Sequence, residues 1–220
     1  LKSWSGTVNG IILQCAELGG FPIIFDDLKN CDTDVKRALP RIIYDFVQGQ
    51  EKIRLDKNSN KRDPKTFNNI MLTSGEYPVT DDLQEHEGAT ARVLVLNGSF
   101  LPKSRENGCL ANTIENNSLK YYGTVGMEWA KFLVRAKNNG DIPKLEKRLT
   151  EIKEELGRLS NNNIFTRKIN TIALLQLTGE MLENFLQDDY FDIHKLVVYL
   201  IQQIEESTNA ADPNKNAFID

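Results

Sequence analysis

No glycine in this 220-residue chain is followed by a lysine, so the GxxxxGK[ST] phosphate loop is missing from it. There are two histidines, His86 and His194, and three cysteines, Cys15, Cys31 and Cys109. They are too few and too scattered for a zinc centre or a CxxC redox pair. An odd, sparse set of thiols fits packing roles in a reducing compartment, and a cytoplasmic location is expected. No apolar run nears the roughly 18 residues of a membrane-spanning helix, so no membrane partner is expected. LKSWSGTVNG at the start has neither the basic flank nor the apolar core of a signal peptide, and it lacks an initiating Met. The chain is therefore expected to be a piece of a longer one. Net charge is −4, so the molecule as a whole does not attract nucleic acid.

What the chain does contain changes character near residue 100. Residues 7–18 (TVNGIILQCAEL) place Ile11, Cys15 and Leu18 at helical spacing, and Gly19-Gly20 ends that helix. FPIIFDDL (21–28) follows. Its continuous apolar run predicts a strand buried on both faces, as in a parallel sheet covered by helices. Asp32 or Thr33 is suited to cap a helix running to about Val47, in which Pro40 predicts a kink or a late start. Residues 52–65 (KIRLDKNSNKRDPK) set six basic residues against Asp56 and Asp63. They read as the start of a β-hairpin with a positive tip near Lys57 to Lys61, returning through TFNNIMLTS. NIMLT (69–73) reads as a second core strand. ATARVLVLNG (89–98), after the acidic DDLQEHE (81–87), reads as a third.

Beyond residue 100 the periodicity is helical. Residues 119–140 read as one helix tolerating Gly123 and Gly126. Residues 141–160 are amphipathic, with Ile142, Leu145, Leu149, Ile152, Leu156 and Leu159 in 3–4 steps. Two more helices are predicted around 165–186 and 192–206, then a polar, fraying tail over 207–220. The expected organisation is an α/β part over 1–100 followed by a helical lid over 101–206.

A strand ending in Asp26 and Asp27 puts two carboxylates at the carboxyl edge of a sheet, where α/β proteins bind ligands. Asp26 is suited to hold Mg²⁺, and Asp27 to polarise an attacking water, the logic of a Walker B element. Alone, such a pair is equally a surface turn after a strand. A phosphoacceptor receiver domain is excluded, because the next core strand ends in LTSGE, without the required third aspartate. The order of parts carries more weight. An acidic pair, a helix, a basic hairpin and a strand ending in a hydroxyl residue resemble AAA+ ATPases with a hairpin before the sensor 1 strand. In that scheme Thr73 or Ser74 positions the attacking water. The hairpin lysines grip single-stranded DNA phosphates inside a homo-oligomeric ring; otherwise the hairpin is a solvated loop.

SWSGTVNGI, FPIIFDDL, IIYDFVQGQEKIR, IMLTSGE and YYGTVGMEWAKFL resemble successive blocks of the DUF927 family, over roughly residues 3 to 190. Its members occur in phages, plasmids and genomic islands and resemble AAA+ or other helicases. The resemblance implies an α/β fold: a partial P-loop NTPase (AAA+-like) sheet with a hairpin insertion, then a helical lid. It places Asp26 and Asp27 at the Walker B positions, where the second acid is more often a longer-reaching Glu. Thr73 and Ser74 fall on its S/T-S/T-G-E block, with Glu76 orienting a neighbouring group. Lys52 and Arg54 fall on a basic stretch that Lys57, Lys61 and Arg62 extend toward DNA. Arg92 matches an arginine that acts on a neighbouring subunit's nucleotide, or else pairs with the acidic 81–87 loop. Arg167 is a nucleotide-sensing arginine or a surface residue. Mg²⁺ and ATP are implied for the full-length protein. The family's phosphate loop lies upstream of the SW block, so this chain alone is expected neither to bind ATP tightly nor to hydrolyse it. The function implied is the ATPase-core fragment of a mobile-element DNA replication helicase. The other reading is a non-catalytic DNA-binding or scaffold module on the same fold.

Overall fold

The computed structural model describes residues 2–51, 54–55, 61–83, 85–97, 103–159, 163–187 and 192–210; residues 54–55, 61–62, 163–164 and 206–210 are given by their backbone alone. The chain divides into two compact units, Leu1–Val95 and Leu96–Asp220.

In the first unit, β1 (Lys2–Ser3) leads into α1 (Val8–Leu18), which crosses over to β2 (Ile23–Asp26). Thr7 caps α1 by accepting the Gly10 amide at 3.2 Å, and Gly19, at φ 65°, turns the chain out of it. After α2 (Thr33–Arg37), α3 (Leu39–Gln48) starts late, with Pro40 in its first turn, as expected. Asp32 precedes α2 without capping it; its carboxylate accepts the Gly6 amide at 3.3 Å instead. The hairpin is β3 (Arg54–Leu55) against β4 (Lys61–Arg62), with Arg54 opposite Arg62 and Leu55 opposite Lys61. Its return strand therefore begins at Lys61, and Thr66 merely bridges Gln50 at the base. Gly49 permits that base. It sits at φ 68°, and a Cβ there would come 2.7 Å from the Phe67 carbonyl oxygen.

β5 (Met71–Thr73) completes a parallel sheet in the order β1-β2-β5. Phe25 of β2 lies opposite both Lys2 and Thr73. Ile23 and Phe25 are buried with Ile11, Ile12 and Cys15 of α1 and Leu39 and Ile42 of α3. Each such side chain contributes about 1.5–3 kcal/mol of burial. Burial pushes the Cys15 thiol up to about 11, which leaves it an unreactive packing residue. β2 departs from expectation on its other face, where Ile24 is 44 % and Leu72 of β5 51 % exposed. Among the described residues of this unit, α1 and α3 pack on the Ile23–Phe25 side of the sheet.

No strand forms over 89–97, the described part of the stretch 89–98. Glu87–Thr90 is a short helix, α4, with Ala89 buried beneath it, and the Ala91 amide closes onto the Glu87 carbonyl at 2.9 Å. Residues 93–97 follow without joining a ladder. The middle strand already has both neighbours, so this apolar run finds no partner there.

The second unit consists of α5 (Arg105–Lys120), α6 (Thr124–Asn138), α7 (Ile142–Gly157), α8 (Asn163–Leu186) and α9 (Ile193–Ala210). The single helix expected over 119–140 is broken, because Gly123 takes a left-handed φ of 82°. α5, capped by Ser104, precedes the break. α7 follows its sequence pattern in part: Ile152 and Leu156 are buried where the helix packs on α8, whereas Ile142 and Leu159 are exposed and Leu159 lies beyond the helix end. Arg148 of α7 clamps Glu180 of α8 with two bonds of 3.0 and 2.8 Å and adds Glu155 at 3.1 Å. α9 buries Ile193, Val197, Leu200 and Ile204 and continues to Ala210, four residues into the stretch expected to fray. The rest of that tail lies outside the described residues.

Candidate functional site

β2 and β5 run in the same direction, so their carboxyl ends meet, and the side chains there make one constellation. The Ser74 amide donates to the Phe25 carbonyl at 3.2 Å, and the Leu28 amide to the Ser74 carbonyl at 3.3 Å. These bonds lock the segment after β5 against the acid pair. The Ser74 hydroxyl donates to Asp26 Oδ1 and accepts the Asp27 amide at 3.3 Å. Asp27 adopts a left-handed backbone, φ 56° and ψ 68°, uncommon for a residue with a side chain. Its Oδ2 accepts the Asn30 amide. Two adjacent carboxylates thus take different partners, Asp26 the serine and Asp27 the asparagine.

Thr73, adjacent in sequence to Ser74, has another task. Its hydroxyl accepts the Trp4 indole Nε1 at 3.0 Å, and Trp4 lies against Phe25 with ring centroids 4.7 Å apart. Of the two hydroxyls named from the sequence, Ser74 meets the acids and Thr73 braces β1 to β5. Trp4, Asn30 and Lys29 had no assigned role in the sequence reading. For Trp4 the only available signal was the SW pair at the start of the chain. Lys29 forms an ion pair with Glu76 across the site, and that bond raises the Lys29 pKa. Glu76 therefore orients Lys29.

Asp26 and Ser74 offer oxygen donors of the kind a hard cation accepts. No group of three His, Cys, Asp or Glu side chains converges among the described residues. The pair cannot enclose a metal by itself. It fits an ion that keeps water and phosphate ligands, as Mg²⁺ does.

Other residues named from the sequence fall elsewhere. Arg92 is in the turn after α4, not on a strand. Its guanidinium donates to the Gly88 carbonyl at 2.5 Å and lies 4.8 Å from the centre of the Tyr44 ring. Arg167 is exposed on α8, in the second unit. Arg54, Lys61 and Arg62 are on the hairpin strands, whereas Lys52 and Lys57 lie outside the described residues. No helix among the described residues is long and apolar enough to cross a membrane.

A solved structure described as "SCCmec type IV Cch - active helicase" shares the fold with a TM-score of 0.69 over 95% of this chain, at 20% sequence identity. The chain spans 36% of that helicase's length. No family model and no curated protein matches the chain, so the DUF927 resemblance rests on the quoted residues alone.

Proposed function

We propose that this chain is part of the ATPase core of a mobile-element DNA replication helicase, of the kind the DUF927 resemblance implies. The observation that carries the reading is the meeting of Asp26, Asp27 and Ser74 at the carboxyl end of two parallel neighbours. It gains weight because the fold follows that of an active helicase over 95% of the chain. Bound Mg²⁺–ATP would supply the electrophilic phosphorus and the neutralising charge. Asp26, held by the Ser74 hydroxyl, would hold the ion directly or through a water. Asp27 would take the proton of the attacking water, for which its carboxylate must exchange the Asn30 side-chain amide for that water. Ser74 holds the two acids in their relative positions.

The phosphate cradle comes from residues outside this chain. Among the described residues β5 pairs on one side only, with β2, which leaves its other edge for a further parallel strand. The exposed Ile24 and Leu72 provide the apolar face on which the helix after such a strand would rest. Arg92 and Arg167 serve nucleotide from this or a neighbouring subunit of a homo-oligomeric ring. Arg54, Lys61 and Arg62, with Lys52 and Lys57, hold the phosphates of single-stranded DNA.

The test compares this chain with the longer protein that carries GxxxxGK[ST]. Asp27→Asn in the longer protein should reduce ATP hydrolysis at least a hundredfold while leaving ATP binding intact. This chain alone should show no hydrolysis above background. Undiminished turnover in D27N, or hydrolysis by this chain alone, would overturn the reading.

A further inference from the structure

Three carboxylates stand where β2 and β5 end. Asp26 closes β2, Asp27 follows it, and Glu76 lies two residues beyond Ser74. Carboxylates gathered in this way repel one another and any phosphate that approaches. Lys29 answers that charge. Its backbone is fixed on both sides: the Leu28 amide donates to the Ser74 carbonyl at 3.3 Å, and the Asn30 amide to the Asp27 carbonyl at 3.2 Å. Leu28 itself is buried in the core. The Lys29 side chain is held more loosely. It pairs with Glu76 while 51 % exposed, its partner being 70 % exposed. The bond to Glu76 is the main cause of its raised pKa, and the charge of Asp27 adds to it. Lys29 is therefore a full cation beside the acid pair, on a pinned backbone and in an ion pair of the exposed kind that contributes little. An ammonium has three donors, and Glu76 takes one of them.

We propose that Lys29 is a phosphate-contacting residue of this site: Glu76 parks its ammonium beside the acids, and a bound nucleoside triphosphate draws it onto the terminal phosphate. The inference rests on the ATPase reading above and adds to it a cation supplied by this chain, separate from the lysine of the GxxxxGK[ST] loop. Phosphate offers a charge-assisted bond stronger than the exposed pair it replaces. A nucleoside diphosphate has no terminal phosphate at that place, so Lys29 stays on Glu76. The exchange thus makes the site distinguish triphosphate from diphosphate.

The test is a pair of affinities in the longer protein, for Mg²⁺–ADP and for Mg²⁺ with a non-hydrolysable ATP analogue, measured by titration calorimetry. Lys29→Met should weaken the analogue about tenfold and leave ADP little changed. Lys29→Arg, which keeps the charge, should recover most of the loss. Glu76→Gln breaks the same ion pair from its other end, and it should bind the analogue at least as tightly as the parent, since a competing carboxylate is gone. If the pair only braces the loop, K29M and E76Q will weaken the analogue alike, and the proposal falls. It falls equally if K29M leaves the analogue unchanged or weakens ADP as much. With D27N inactive, any of those results removes Lys29 from the site and leaves the ATPase reading standing. A longer protein that binds neither nucleotide overturns both.

Discussion

The first unit is held by residues remote in sequence, as in the bond from Trp4 to Thr73 across 69 positions, whereas the second is built from neighbouring antiparallel helices such as α7 and α8. A parallel sheet closes only when crossovers bring distant strands together, and β2 has to find both β1 and β5. Each helix of the α7–α9 stack needs only the next one. Loss of one sheet contact therefore opens a whole site, while loss of one helix contact loosens a single interface. The candidate site sits in the unit that depends most on distant pairings.

That contrast can be broken by experiment, beginning with the largest effect. Phe25→Ala should cost about 3–5 kcal/mol, because the ring is fully buried and touches Trp4. In hydrogen exchange, amides of the first unit should lose protection while those of α7–α9 keep it; equal loss in both would refute the independence of the units. Next, Thr73→Val leaves the Trp4 indole N–H buried without an acceptor, at about 1–2 kcal/mol by urea unfolding. Ser74→Ala, one residue on, should change stability by less than about 0.5 kcal/mol because its bonds are exposed. Similar losses for the two would erase the division of labour between those hydroxyls.

The smallest effect concerns the clamp in the second unit. Arg148 holds the Glu180 carboxyl below the usual glutamate range, chiefly through their bidentate bond. With a depressed folded pKa, that contribution is present at neutral pH and fades as pH falls below about 4. Both partners are partly solvated, which limits Arg148→Ala to about 1 kcal/mol at pH 7. The difference from the parent should narrow as pH falls below about 4 in paired urea titrations. A gap indifferent to pH would show that Arg148 acts through packing.

Local signals were legible where a short pattern decides the outcome. The run before Asp26 became a strand, Pro40 delayed a helix, and the 3–4 spacing of Ile152 and Leu156 became a buried stripe. ATARVLVLNG misled because its apolar residues describe a strand, whereas Glu87–Thr90 folds as a short helix and residues 93–97 stay outside the ladder. Gly123 misled because a glycine inside a helical pattern reads the same whether it is tolerated or takes a left-handed turn. Within the site, the acids and a hydroxyl were readable. The choice of Ser74 over Thr73 was not, since it is made by Trp4, which no local pattern connects to them. The exposure of Ile24 was equally hidden: an apolar residue in a strand does not reveal what will cover it.

The chain has two tryptophans, and they fall one to each unit: Trp4 is 2 % exposed beneath the acid pair, and Trp129 packs against Phe132 and Phe185 in the helical unit. The molecule thus carries a built-in pair of fluorophores. One is a dry indole, hydrogen-bonded within a few atoms of Ser74; the other rests on an aromatic cluster. Replacing either one with phenylalanine leaves an emission spectrum that belongs to a single unit. Changes in the sheet unit and in the helical unit then become separate optical signals from one unlabelled protein.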